Sequence, residues 1–369
     1  MECFRRTDME KHKPCPNCGN ELEFSASRGE LHCRHCDTGQ EVLRDPDFVP
    51  SGSDYLETLA RFDENSERPE QIAIDCGNCA AHIELPENVV ADRCPYCDSP
   101  IIATELCTRP VRPTAVMPFA IDREEATEHY RKWLHSRWFM PNRVKREART
   151  RQFKGIYLPH WTYDSDTTAV YTGMRGEYYW VTVNYTETVN GRSVQRSRRE
   201  RRTRWYPAAG TAFNLFRDLL VPANRTLPPE LVDKLTPWFL DGLEQYQSDF
   251  IRGHQEQSYD LPLAAGFGQA KEMMEPEIRE EIRRDIGGDE QQILTQSVRY
   301  KNISYKLILL PVWENHFEFQ HKIYTFLINA RTGEVQGKRP WSAVKLTFFI
   351  LSLAAVAAVF IYLIINHSG

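Results

Sequence analysis

Three hydrophobic patterns divide this chain. The simplest lies at its end. Leu346 to Ile365, LTFFILSLAAVAAVFIYLII, runs twenty residues without a charge, and its only polar members are Thr347, Ser352 and Tyr362. At 1.5 Å per residue such a run reaches about 30 Å, the hydrocarbon thickness of a bilayer, so it predicts a transmembrane helix. A core helix of this length would carry a polar face. The second pattern alternates. Ile156 to Tyr171, Glu177 to Val189 and Arg192 to Tyr206 read as strands, as do Ser297 to Tyr305, Leu307 to Phe319 and Lys322 to Asn329. Asn190-Gly191 between two of them is the strongest hairpin turn in the chain.

The third pattern is helical. Asp122 has the character of an N-cap, with Glu125 at the capping-box spacing, and Ala126, Tyr130, Trp133 and Leu134 share one face. That helix is expected to run to about Arg137 and to stop before Pro141. A short helix is expected over Asp54 to Phe62 with Ser53 as cap. Residues 208–290 read as polar and helical, with Pro276 starting a helix that ends before Gly287-Gly288.

Composition adds little. A chain of 369 residues with 26 % charged and 41 % apolar positions is globular in character. A net charge of −5 excludes polyanion binding by bulk charge. Met1 to Lys13 is charged and lacks an apolar stretch, so no cleavable signal peptide is expected. Lys338, Arg339 and Lys345 precede the apolar run. The positive-inside rule therefore places the large N-terminal part in the cytoplasm, at the bacterial inner membrane.

The candidate chemistry lies in eight cysteines. Cys15, Cys18, Cys33 and Cys36 read C-x2-C-x14-C-x2-C, and Cys76, Cys79, Cys94 and Cys97 repeat the spacing 61 positions on. Each C-x2-C knuckle offers two thiolates, and two knuckles joined by a short hairpin complete a tetrahedral Zn²⁺ shell. Four thiolates leave no open position for water, so two structural zinc ions are expected, with no catalysis. Disulfides would need an oxidising compartment, and a redox C-x-x-C would be single and set in a βαβ unit.

Two further features matter. Tyr157-Leu158-Pro159-His160-Trp161 is echoed by Leu309-Leu310-Pro311-Val312-Trp313, displaced by 152, which suggests two related β-units. The strand after Asn190-Gly191 carries seven arginines. Arg192, Arg196, Arg198, Arg202 and Arg204 are expected on one face and Arg199 and Arg201 on the other.

With Met117-Pro118-Phe119, Gly155 to Trp161, Leu310-Pro311-Val312-Trp313, Thr332-Gly333-Glu334-Val335 and Gly337 to Pro340, these cysteines make the chain resemble a bacterial family. Its members are membrane-anchored double zinc-ribbon proteins, often labelled transcription-factor-IIB-type or primosomal helicase-like. The resemblance implies paired ribbons, a large soluble domain and a C-terminal membrane helix. It also implies flotillin-like or phage-shock-like membrane proteins as a partner class. It implies no established activity.

The expected fold is α+β. Zinc ribbon 1 occupies residues 1–43, a linker 44–70 and zinc ribbon 2 residues 71–110. An α+β domain with long antiparallel hairpins fills 111–340, and the transmembrane helix 346–365. No G-x4-G-K-[ST] run supports a helicase motor, and H-E-x-x-H and G-x-S-x-G are missing too, so an enzyme is not expected. Asp164, Asp166, His160, His316 and His321 have no spacing that declares a site. The reading favoured by the sequence is a membrane-tethered adaptor that binds protein partners. The alternative is a membrane-tethered nucleic-acid binder that uses the arginine strand.

Overall fold

The computed structural model describes residues 13–61, 72–75, 82–85, 89–95, 99–102, 111–148, 153–189, 192–320 and 322–367. The architecture is mixed α+β, built on a large sheet that is mostly antiparallel. The chain opens with β1 (Glu23–Ser25), β2 (Glu30–His32) and β3 (Gly39–Gln40), a small antiparallel sheet of its own. Then come β4 (Ser53–Asp54) and α1 (Tyr55–Arg61). Asp54, not Ser53, caps α1, accepting from the Glu57 N–H at 2.7 Å. The buried Tyr55 packs against Phe267. Part of the expected linker is thus laid onto the domain. Next are β5 (Ile72–Asp75) and β6 (His82–Leu85), which pair with each other, and the hairpin of β7 (Val89–Arg93) and β8 (Pro100–Ile102).

The domain proper is built as two successive β-α-β-β runs. The first is β9 (Ala115–Val116), α2 (Arg123–Ser136), the short α3 (Asn142–Ala148), β10 (Lys154–Val189) and β11 (Arg192–Pro222). A connecting stretch holds α4 (Pro229–Val232), β12 (Glu244–Gln245) and α5 (Ser248–Ile251). The second run is β13 (Gln255–Gln257), α6 (Leu263–Ile286), β14 (Glu290–Phe319) and β15 (Lys322–Asn329). Strand β16 (Val335–Gly337) and helix α7 (Ala343–His367) close the described chain.

Several sequence expectations change here. Residues 208–222 are strand, because β11 pairs with β10 without a break from Arg192 to Pro222 apart from one bulge near Tyr163/Ser165. The pairs expected as separate strands, 156–171 with 177–189 and 297–305 with 307–319, are each one continuous strand. Pro276 lies inside α6 rather than at its start. The buried stripe Leu263, Phe267, Ala270, Met274, Ile278, Ile282 and Ile286 continues across it at helical spacing. The capped helix at Asp122 is as expected: its side chain accepts from the Glu125 N–H at 2.8 Å.

The two Leu-Pro-x-Trp segments lie side by side. Leu158 pairs with Leu310, Pro159 with Leu309 and Tyr157 with Pro311, antiparallel and in register. Around this centre the surroundings match. Strand β13 runs parallel to β10 at Ile156 and Tyr157, and β9 runs parallel to β14 at Ile308 and Leu309. The indole of Trp161 donates to the Leu261 carbonyl at 3.0 Å, and that of Trp313 donates to Ile121 at 2.9 Å. Trp161 stands 4.9 Å from Tyr259, and Trp313 5.0 Å from Phe119. The Ala223 N–H reaches Pro159 O, and the Ala330 N–H reaches Pro311 O. The two runs are thus related by a local two-fold axis, and each tryptophan reaches into the other run.

Each helix covers the other run's hairpin. Helix α2 buries Ala126, Tyr130 and Leu134 in one core with Trp313, Phe317, Phe326 and Ile328. Helix α6 buries its stripe in a second core with Trp161, Tyr163, Tyr171, Ala212 and Phe216. Helix α6 ends at Gly287, where Asp289 closes the turn: its N–H donates to Gly176 O and its carboxylate accepts from the Tyr178 N–H. Beyond Gly176, which pairs with Glu290, β10 and β11 continue alone as a two-stranded arm.

Candidate metal centre

The first cysteine set converges. The four Sγ atoms of Cys15, Cys18, Cys33 and Cys36 lie within 4.8 Å of one another, with Cys15–Cys36 at 3.4 Å and Cys18–Cys33 at 3.5 Å. These separations are too long for a disulfide of about 2.05 Å. They suit a cation with thiolates about 2.3 Å away, for which tetrahedral geometry sets sulfurs roughly 3.8 Å apart.

The two knuckles are built alike. The Gly19 N–H returns to Cys15 O at 2.9 Å, and the Asp37 N–H to Cys33 O at 3.0 Å. The N–H of Cys15 donates to Asn20 O, and that of Cys33 to Thr38 O. Both turn residues are left-handed, Gly19 at φ 75° and Asp37 at φ 60°. Glycine adopts this conformation freely, whereas Asp37 is held in it by Arg28 at 2.6 Å and His32 at 2.7 Å.

The electrostatics of the set also suit a cation. The Thr38 hydroxyl and N–H pull the Cys36 thiol down to about 5. At Cys15 burial pushes upward, but the N–H groups of Asn17 and Cys18 outweigh it and the thiol is lowered. At Cys18 the Asn20 N–H pulls downward, yet burial and the three other thiols push it up to about 12. Four sulfurs this close cannot all ionise against one another unless a cation joins them. The cluster can hold one metal ion.

Of the second set only Cys94 belongs to the described residues; Cys76, Cys79 and Cys97 lie outside them. Cys94 is buried, and its N–H donates to Ser99 O at 2.8 Å. The same bond joins Cys33 to Thr38 five positions on.

The first ribbon is set into the domain. Leu22, Phe24, Leu31, Cys15 and Cys33 belong to one buried cluster with Phe250, Ile251 and Trp313. Glu23 receives Arg93 of β7 through two bonds of 2.6 and 2.5 Å and also meets Arg34 at 2.8 Å. Lys13 reaches Asp249, and the Phe24 N–H donates to the carbonyl of the buried Arg252. This clamp was not legible in the sequence, where Glu23 and Arg93 are two surface-type charges seventy positions apart.

The arginine strand forms the outer half of the arm. Arg192 pairs with Val189 beside the turn; Asn190-Gly191 itself lies outside the described residues. Arg196 meets Glu187 at 3.1 Å, and Arg198 and Arg202 meet Glu200 at 2.6 and 3.7 Å. Arg198 lies over Tyr185 and Arg204 over Tyr179; on the opposite face Arg199 lies over Trp180 and Arg201 over Tyr178. The carboxylates that Arg196, Arg198 and Arg202 meet, Glu187 and Glu200, belong to the arm itself.

The isolated acids and histidines do not converge. His160 is buried, with Nδ1 at 3.1 Å from Leu158 O, and burial lowers it to about 4. Asp164 and Asp166 close the bulges with Ser304, Asn302 and Arg217. His316 is raised by Glu314, 2.8 Å away. His321 lies outside the described residues.

The chain is similar to a Bacillus subtilis (strain 168) protein. That protein, the uncharacterized protein YdjG, is 23 % identical over 356 residues, which cover 92 % of this chain and 93 % of the relative. No protein-family model matches the chain, and no solved structure matches it. The similarity covers most of both chains, so it is not confined to the cysteines.

Proposed function

We propose that this chain is a single-span, membrane-tethered adaptor that presents an aromatic, arginine-faced arm to protein partners in the cytoplasm. The observation that carries the reading is the arm from Glu177/Arg204 to Val189/Arg192. It extends 13 residue pairs past the last strand beside it, about 40 Å at strand rise. None of its residues whose exposure is described is buried. Tyr178, Tyr179, Trp180 and Tyr185 offer large, rigid contact area, and arginines stacked on them are pre-ordered, the composition of interface hot spots. Helix α7 supplies the tether: Ala343–Ile361 has a mean hydropathy of 2.4 with none of it buried, long and apolar enough to cross a membrane.

In this reading each cysteine set holds one structural zinc, and the Cys94–Ser99 bond supports the second. The two β-α-β-β runs are copies of one ancestral unit. Membrane-stress proteins of flotillin-like or phage-shock-like type are the partner class the family resemblance suggests. Elemental analysis of purified protein is expected to give two zincs per chain; a value near one removes the second site. A photo-cross-linking residue at position 180 or 185, used in intact cells, should capture a defined protein that is lost when Arg199 and Arg201 become Ser. Cross-links to nucleic acid at those positions would instead support the nucleic-acid reading. That reading is weakened by the carboxylates Glu187 and Glu200, which already occupy three of the arginines.

A further inference from the structure

The turn between α2 and α3 carries a feature that neither the adaptor nor the metal explains. Trp138 is 74 % exposed there, and Trp341, just before α7, is 59 % exposed. Phe139 stacks between them, 6.4 Å from Trp138 and 5.9 Å from Trp341. The turn is fastened to the first turn of α7. The Ser342 N–H donates to Phe139 O, and the Lys345 ammonium donates to Trp138 O, Met140 O and Asn142 Oδ1 at 3.0, 2.9 and 2.7 Å.

Depth follows from one contact. Phe139 meets Phe349 edge-on at 5.3 Å. Phe349 lies three residues beyond Leu346, where the charge-free run begins, so roughly 5 Å inside the apolar segment at 1.5 Å per residue. If α7 crosses a bilayer, Phe139 and its stacked neighbours must enter the headgroup zone with it, where Trp is the favoured residue.

Two guanidinium groups face the same zone. Arg137 lies 4.8 Å over Trp133, and Arg339 lies 4.8 Å over Trp341. No carboxylate pairs with either among the described residues, and Arg137 Nε is enclosed without a hydrogen-bond partner. Arg339 is lowered first by burial and then by the charge of Arg137. The neighbouring Lys338 is occupied by Glu230, 2.8 Å away. Two unpaired cations that repel each other beside an aromatic belt call for an anion at that depth. The anion present there in a bilayer is phosphate, which a guanidinium binds through paired N–H bonds.

We propose that the α2–α3 turn is a second, interfacial membrane contact, in which Trp138, Phe139 and Trp341 lie among the headgroups and Arg137 with Arg339 holds the phosphate of an anionic phospholipid. The inference rests on the reading of α7 as a membrane span. The test uses the full chain in phosphatidylcholine vesicles with and without phosphatidylglycerol. Lipids brominated near the headgroup should quench part of the tryptophan emission; Trp138→Phe should reduce that part and Trp138→Phe with Trp341→Phe should abolish most of it, whereas Trp180→Phe on the arm should leave it unchanged. Phosphatidylglycerol should co-purify with the chain, about tenfold less so in an Arg137→Gln/Arg339→Gln variant. Shallow quenching that disappears with Trp180 rather than Trp138, or equal lipid retention by the double variant, would overturn the proposal. So would loss of bound phosphatidylglycerol to inorganic phosphate at matched ionic strength, since the site would then take a free anion. Release of the chain by an alkaline wash would sink the span itself. A chain that stays embedded with Trp138 unquenched sinks only the interfacial contact.

Discussion

The two β-α-β-β runs build the same junction and then part company. At the junction the pairing of Leu158 with Leu310, the two indole bonds and the two parallel short strands are equivalent to within 0.1 Å in the indole bond lengths. Away from it the lengths diverge. Helix α2 has 14 residues and α6 has 24; β15 has 8 and β11 has 31. At 1.5 Å per residue α6 reaches about 36 Å, enough to cover roughly eleven strand residues at 3.3 Å each. Its end meets the strand at Gly173, where Ile286 approaches closely. Beyond that point the positions on this face change from Ala169, Tyr171 and Ala212, which are buried, to Glu177, Tyr179, Arg202 and Arg204, which are not. The shared junction fixes the topology, and the length of the covering helix decides how much of each arm is core. What outruns its helix is released for other work.

The largest expected break in the equivalence is metal removal. The core under α2 includes Cys15, Leu22, Phe24, Leu31 and Cys33, whereas the core under α6 includes no ribbon residue among those described. A structural zinc contributes folding energy on the order of 10 kcal/mol in isolated fingers. Chelation, or Cys33→Ser, should therefore strip hydrogen-exchange protection from β1, β2 and α2 while α6 and the β10–β11 hairpin keep theirs. Equal loss in both cores would show that they do not act as separate units.

A second test sharpens the equivalence. Trp161 and Trp313 are both essentially buried, and each donates to the carbonyl of the residue just before a helix N-cap. Trp161→Ala and Trp313→Ala should each cost about 3–5 kcal/mol in denaturant unfolding, from lost packing and an orphaned carbonyl. Values differing by more than about 2 kcal/mol would mean that the geometric match is not an energetic one.

A third uses a position where the runs differ. His160 in the first corresponds to Val312 in the second. Burial depresses His160 to about 4 in the folded chain, while an unfolded histidine titrates near 6.5. Below pH 6.5 the unfolded state takes up a proton that the folded state refuses. Stability is therefore complete above about pH 6.5 and falls until about pH 4, by roughly 1.4 kcal/mol per pH unit. His160→Val should flatten that slope by about one proton. An unchanged slope would place the acid sensitivity elsewhere, with His254, lowered to about 3 by burial and then by Arg93 and Arg123, as the next group to replace.

Much of this was written in local sequence and some was not. The cysteine knuckles, the Asp122 cap and the terminal helix are short-range or uninterrupted signals, and each could be read directly. The long strands were read in fragments, because the glycines at 173 and 176 interrupt alternation in β10 and the charge of Lys306, paired in the structure with Asp218, falls between two apolar stretches of β14. Residues 208–222 carry Ala-Ala-Gly-Thr-Ala and Leu-Phe-Arg-Asp-Leu-Leu, which suit a helix locally; pairing with β10 overrides that preference. The echo was visible only at its tryptophans. The strands are displaced by 152 positions, but the short strands before them, Ala115 and Gln255, by 140, so no single offset aligns both runs. The Glu23 clamp and the stacked turn at Phe139 depend on residues far apart in sequence, and no local pattern announces them.

The smallest expected effect on stability separates the arm from the fold. The arm contributes no side chain to either core beyond Gly176. Its ion pairs are exposed, Arg196 with Glu187 at 53 and 46 % for example, and pairs of this kind contribute less than about 1 kcal/mol. Deleting residues 180–201, with a two-residue Asn-Gly turn between Tyr179 and Arg202, keeps their directly opposed pairing and allows the hairpin to close. The shortened chain should keep its metal content, its membrane fractionation and its thermal midpoint within a few degrees, since about 1 kcal/mol moves the midpoint of a domain this size by only 2–4 °C. It should lose the protein cross-links assigned to the arm. If the shortened chain unfolds instead, the arm is part of the fold and the division of labour between the two runs is wrong. If it folds and keeps every partner, recognition lies elsewhere on the chain, and the extra length of the first run must be explained by something other than binding.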